Sequence, residues 1–197
     1  VETTVISFNG LINACSRGLQ WERALNILFV EMHNHELMPS VISCNGAISA
    51  CDRCERWQWA LQMLAGMREV DLEPDIISYT SAIWACSKGM QWARTLAMLT
   101  EMQDVSVETS VLSYNGAISA CEKGGHWELA HATLLLMSEP GLQPDVMSYN
   151  AAIIAYSTRW TLALETLSDM REQYLKPNAI SYNAVISACE KGEQWER

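Results

Sequence analysis

One short phrase returns along the whole chain. A serine, usually followed by an aromatic residue and then a small polar one, occurs at Ser7-Phe8-Asn9, Ser43-Cys44-Asn45, Ser78-Tyr79-Thr80, Ser113-Tyr114-Asn115, Ser148-Tyr149-Asn150 and Ser181-Tyr182-Asn183. The intervals are 36, 35, 35, 35 and 33 residues. A period of this size marks a tandem array of supersecondary units, each of which buries its apolar face only against its neighbours. Starting each unit two residues before its Ser divides the chain into 5–40, 41–75, 76–110, 111–145, 146–178 and a partial 179–197, read as a single array over 1–197.

The aligned columns specify the unit. Position 8 is Ile in every copy (Ile12, Ile48, Ile83, Ile118, Ile153, Ile186) and position 10 is Ala (Ala14, Ala50, Ala85, Ala120, Ala155, Ala188). Position 17 is Trp21, Trp57, Trp92, Trp127 and Trp195; Trp160 joins them once a two-residue deletion in the fifth unit is allowed. A first helix is expected over positions 2 to 13, stopped near Gly18, Gly89, Gly124 or Gly192, since Gly past a helix end signals a C-cap. A second helix carries the Trp, then Ala, Leu and Met at helical spacing, as in Trp57, Ala60, Leu61, Leu64 and Met67. Pro39, Pro74, Pro144 and Pro177 break it before the next unit. The expected fold is all-α, a right-handed α-solenoid of stacked helix-turn-helix repeats with a concave surface. Tryptophan is expected to pack between helices. Small residues at positions 6 and 10, such as Gly46 and Ala50, would let successive first helices approach closely.

Composition restricts the function classes. Hydrophobic residues make up 49% of 197, ample for a core, and no apolar run reaches membrane-spanning length. The chain reads as a piece of a longer protein. The formal charge of -10 by itself argues against a phosphate-rich partner. Five of the seven cysteines (Cys15, Cys51, Cys86, Cys121, Cys189) share one repeat position, which suits a small apolar slot better than a disulfide framework. Cys51-x-x-Cys54 has no second pair, so neither a metal nor a redox role is assigned to it. His33, His35, His126 and His131 read as free surface histidines.

A 35-residue helical pair with V-x-S-Y-N-x-x-I near its start, A-L in its second helix and M…P-D at its end resembles the pentatricopeptide repeat family, and the resemblance covers the whole chain. The tetratricopeptide pattern fits less well. The resemblance implies a reader of single-stranded RNA, one base per repeat. On a helical wheel positions 2, 5, 9 and 13 form one stripe, opposite the Tyr, Ile and Cys of positions 4, 8 and 11. This stripe is expected to line the concave face. Position 2 holds Ile6, Ile42, Ile77, Leu112, Met147 and Ile180, which in the family sandwich each base; the alternative is ordinary packing between repeats. Position 5 holds Asn9, Asn45, Thr80, Asn115, Asn150 and Asn183. In the family it selects the base together with the last residue of the unit: Ser40, Asp75, Ser110, Asp145 and Asn178. The alternative for position 5 is helix-start capping, a service the Ser at position 3 already offers. Carried over, five units would read 5′-(C/U)-U-(purine)-U-(C/U)-3′.

Position 13 reconciles this with the acidic total. Arg17, Arg53, Lys88, Lys123 and Lys191 repeat a cation there, and only the fifth unit departs, with Thr158 followed by Arg159. In the family this column faces phosphates; the alternative is relief of the helix dipole. Five neutralised phosphates would give a salt slope of about -3.5.

No Gly-rich phosphate loop, HExxH or GxSxG motif is present, so the chain is not read as an enzyme, and no cofactor or metal is expected. The expected partner is pyrimidine-rich single-stranded RNA, with neither DNA nor membrane insertion, in an organelle (the chloroplast preferred over the mitochondrion), where it would aid transcript processing, stability, editing or translation. The competing expectation is a protein-binding scaffold in a large organellar complex.

Overall fold

A computed structural model describes residues 4–137 and 141–192, in two compact units, Val1–Glu108 and Thr109–Arg197. Trp195 lies outside the described residues. Among those residues every regular element is a helix and no strand occurs.

The first unit contains three helical hairpins. The opening helices are α1 (Val5–Arg17), α3 (Val41–Arg53) and α5 (Ile76–Lys88); the returning helices are α2 (21–34), α4 (Trp57–Glu69) and α6 (Trp92–Asp104). A π-helical turn, Ile27–Glu31, interrupts α2. Helix α1 packs on α3 and α3 on α5, so opening helices form one layer and returning helices the other. The second unit repeats the scheme with α7 (Val111–Lys123), α8 (Trp127–Leu136), α9 (Val146–Ala155), α10 (Trp160–Glu172) and α11 (Ala179–Lys191). There α7 packs on α9 and α9 on α11. The architecture is that of an α-solenoid of stacked hairpins.

The columns explain the layers. Ile12, Ile48, Ile83, Ile118 and Ile153 are fully buried, as are Met32, Met102, Met137 and Met170 at the ends of the returning helices. A Cβ added at Gly46 would lie 2.8 Å from Ile12 Cγ2, so the small residue at position 6 sets how closely α3 approaches α1. Cys15, Cys51, Cys86 and Cys121 fill the interior slot. Burial pushes the Cys51 and Cys86 thiols up to about 12, and those of Cys44 and Cys121 up to about 11.

The glycines after the opening helices act differently from the expectation. Gly18, Gly89 and Gly192 have φ near -80°, a conformation open to any residue. The left-handed residue is the next one: Leu19, Glu55, Met90 or Gly125. It sits in a Schellman turn, in which the N–H of Gln20, Arg56, Gln91 or His126 reaches back to the carbonyl of Cys15, Cys51, Cys86 or Cys121 at 2.8–2.9 Å. Gly89 is small because the Trp57 indole lies where its Cβ would be. The Arg94 guanidinium covers the same indole at 4.7 Å, and Arg159 covers Trp127 at 4.9 Å. The tryptophans are thus half-buried packing residues capped by cations.

Two histidines depart from a free-surface role. His131 Nδ1 is 2.7 Å from the hydroxyl of buried Tyr156, and His35 lies against Phe8. The deletion in the fifth repeat shortens its opening helix, so Tyr156 rather than a longer helical end closes it.

Candidate nucleic-acid interface

Each opening helix after the first starts on a capping box. Ser40, Asp75, Ser110, Asp145 and Asn178 are the N-caps; Ser43, Ser78, Ser113, Ser148 and Ser181 stand at N3 and accept the N-cap backbone N–H. The expectation that the repeated Ser is itself the cap is therefore corrected: the cap is the last residue of the preceding unit. The spacing S/D/N-x-x-S was the available signal.

Three of these caps, Asp75, Asp145 and Asn178, also accept from the position 5 amide of the preceding repeat. Asn45 Nδ2 donates to Asp75 Oδ1 at 3.0 Å, and Asn115 Nδ2 donates to Asp145 Oδ1 at 3.1 Å. Asn150 Nδ2 is 3.4 Å from Asn178 Oδ1. Burial raises the Asp75 carboxyl, but hydrogen bonds from the Ser78 N–H, Asn45, the Ser78 hydroxyl and the Ile77 N–H outweigh it and hold Asp75 below its usual range. Asp145 is lowered in the same way, with burial opposed by Ser148, Asn115 and Met147.

The position 5 side chains do not stand freely on the surface, as the wheel suggested. Asn45, Thr80, Asn115 and Asn150 are buried, Asn115 to 1% exposure; at Asn45, Asn115 and Asn150 the next opening helix begins against the side chain. Asn9 is half-buried, and Asn183, on the last described helix, is exposed. Thr80 Oγ1 has no hydrogen-bond partner. The last-position residues form the accessible rim: Ser40, Asp75 and Ser110 are half-buried, Asp145 and Asn178 exposed.

The aliphatics of position 2 behave oppositely. Ile6, Ile42, Ile77, Leu112, Met147 and Ile180 are exposed by between 48% and 82%. Each unit thus carries a row of three open aliphatic side chains beside its amide–acid pairs. Rows of exposed apolar residues at a fixed repeat position imply a partner surface.

Of the cations, Arg17, Arg53, Lys123 and Lys191 are exposed. Lys88 is not free: its Nζ lies 2.9 Å from Asp52 Oδ1. Arg159, beside the deletion, stacks on Trp127 instead of supplying the missing cation. Among the described residues, no group of three or more His, Cys, Asp or Glu is placed to hold a metal ion, and no helix is long and apolar enough to cross a membrane.

The family model described as a pentatricopeptide repeat domain matches residues 27–89, 97–159 and 154–191, and a PPR repeat model matches 6–34. No curated protein matches the sequence. Among solved structures, the pentatricopeptide repeat protein PPR10 from maize is similar over 98% of this chain and 28% of its own, at 28% identity and a TM-score of 0.79. PPR10 in complex with an 18-nt psaJ RNA element is similar over 99% of this chain, at 26% identity and a TM-score of 0.72. The chain spans 28% of the length of that protein. The PPR domain of Arabidopsis thaliana protein-only RNase P 1, in complex with tRNA, covers 95% of both chains with a TM-score of 0.77 at 14% identity, a likeness of fold alone.

Proposed function

The chain belongs to the pentatricopeptide repeat family, and from that premise we propose that it binds single-stranded RNA, one base per repeat. The observation that carries this reading is the exposed aliphatic row set beside the capped Asn–Asp pairs. An unstacked base offers two apolar faces and a polar edge; aliphatic side chains cover the faces while an amide and a carboxylate read the edge. The exposed cations of position 13 meet the phosphates. The likeness to PPR10, whose structure with an RNA element shares this fold over nearly the whole chain, supports the reading. The base preference proposed is pyrimidine at the Asn repeats and purine at Thr80, on an organellar transcript whose processing, stability, editing or translation depends on occupancy.

A second reading, a protein-binding scaffold, has one observation in its favour. A hollow of about 370 Å³ between α2 and α4 is lined by Phe29, Met38, Met63 and Val70.

Titration of short labelled RNAs separates the two. The expected result is tighter binding of the C/U-U-purine-U-C/U pentamer, embedded in a neutral flank, than of scrambled or all-purine controls. Equal binding of all RNAs, or a protein complex that survives RNase, rejects base reading.

A further inference from the structure

A carboxamide has a donor end and an acceptor end, and which end faces a base decides which edge it reads. Four repeats settle this choice in the same way. Ser43, Ser78, Ser148 and Ser181 donate their hydroxyl protons to the Oδ1 atoms of Asn9, Asn45, Asn115 and Asn150, at 2.6, 2.5, 2.5 and 2.6 Å. All four serines are fully buried. Each hydroxyl oxygen already accepts the backbone N–H of the N-cap: Ser40 at 3.1 Å, Asp75 at 3.2 Å, Asp145 at 3.1 Å and Asn178 at 3.1 Å. A hydroxyl has one proton, and the amide oxygen is its nearest acceptor: the N-cap side-chain oxygens of Asp75, Asp145 and Asn178 lie farther off, at 3.0, 3.0 and 3.2 Å. At Asp75 and Asp145 the other end agrees, because a carboxylate only accepts and so holds Nδ2.

We infer that Ser78 and Ser148 are positioning residues that lock Asn45 and Asn115 with the NH2 end toward the groove and thereby restrict the base edge each reads. The inference rests on the proposal that position 5 contacts bases. A locked amide donates its remaining Nδ2 proton to a base carbonyl or ring nitrogen and cannot accept from an exocyclic amino group. At Asn45 and Asn115, turning it over would set Oδ1 against a carboxylate and leave the buried serine proton without its nearest acceptor. At the Asp-capped repeats 41–75 and 111–145, where a carboxylate holds Nδ2, the serine therefore disfavours a base that presents an amino group; repeats 5–40 and 146–178 lack that carboxylate and admit C as well as U. The serine lies one repeat beyond the asparagine in sequence, which is why the repeat columns alone do not assign it. Thr80 has no amide to orient, and its hydroxyl is unpartnered.

The test uses the 197-residue chain and two RNAs that differ only in U or C opposite repeat 111–145. The unmodified chain is expected to favour U. Ser148→Ala is expected to reduce the U-over-C ratio about fivefold, one hydrogen bond's share, and Ser148→Thr to restore it. Equal weakening of both RNAs by Ser148→Ala, with the ratio unchanged, means the serine serves only the helix cap and overturns the inference. If the unmodified chain shows no U preference, the base-reading proposal fails, and hydrogen exchange of the Asn115 side-chain amide decides the lock in free protein. Protected Nδ2 protons that lose protection in Ser148→Ala support it; identical exchange in both chains refutes it.

Discussion

Lys88 Nζ lies 2.9 Å from Asp52 Oδ1 and also donates to the Asp52 carbonyl at 3.0 Å, tying the end of one opening helix to the end of the one before it. The pair is half-buried, so Lys88 must give up two protein partners before it can meet a phosphate. Arg53, one residue after Asp52, is exposed and has no such commitment.

The salt dependence of RNA binding should therefore reflect four cations rather than five. With Arg17, Arg53, Lys123 and Lys191 engaged, log affinity against log salt should have a slope of about -2.8. Arg53→Ala should make it shallower by about 0.7, whereas Lys88→Ala should leave it nearly unchanged. The measurement is binding of one RNA across a salt series. A steeper slope, near -3.5, with a loss on Lys88→Ala would mean the ion pair opens to bind phosphate.

The lowered carboxyls of Asp75 and Asp145 predict an acid limit. A carboxyl whose folded value lies below its unfolded one contributes stability above the unfolded value, and that contribution disappears as pH falls through the folded value. Melting temperature should hold from neutrality to about pH 5 and decline below about pH 4. Asp75→Asn with Asp145→Asn should remove part of that decline, since Asn keeps the cap. Glu122, pushed up by burial despite Lys123, works with the opposite sign, so the difference between variant and parent is the quantity to compare.

How far the sequence was legible depended on what each column's physics requires. The period, the helix pairs and the Ile column from Ile12 to Ile153 followed from spacing, because apolar burial is periodic and local, whereas Ile186 on the last described helix is exposed. The exposure of Ile42 and the burial of Asn45 were not legible, since both lie on one stripe of the same helix. What separates them is the next helix, whose Ser78 lies close enough to take the amide oxygen of Asn45. The place of Gly89 in its repeat marks a helix stop, but its small size answers to Trp57, 32 positions earlier in the chain. A contact across repeats leaves no trace within one repeat's pattern.

The cysteines should divide by access. Cys54 and Cys189 are half-exposed, while Cys44, Cys51, Cys86 and Cys121 are buried with raised thiols. Because the thiolate is the reactive form, native alkylation at pH 8 should label Cys54 and Cys189 and spare those four until denaturant is added. Mass mapping of the labelled peptides checks this, and rapid labelling of Cys86 in the native chain would contradict the interior slot.

One substitution at two glycines should have opposite effects. Gly66 lies inside α4 with nothing within 4 Å of an added Cβ, so Gly66→Ala should stabilise by about 0.5–1 kcal/mol, from helix propensity alone. Gly89 has an ordinary φ of -80°, so Ala suits its backbone, but the new methyl would enter the Trp57 indole held between Gly89 and Arg94. Gly89→Ala should cost about 1–3 kcal/mol in urea unfolding, the usual range for overpacking. The cause is separable from any effect on the turn. In a Trp57→Leu background the obstructing ring is gone, and Gly89→Ala should then cost much less. An equal cost in both backgrounds would place the penalty in the turn itself and leave the tryptophan column without the packing role assigned to it.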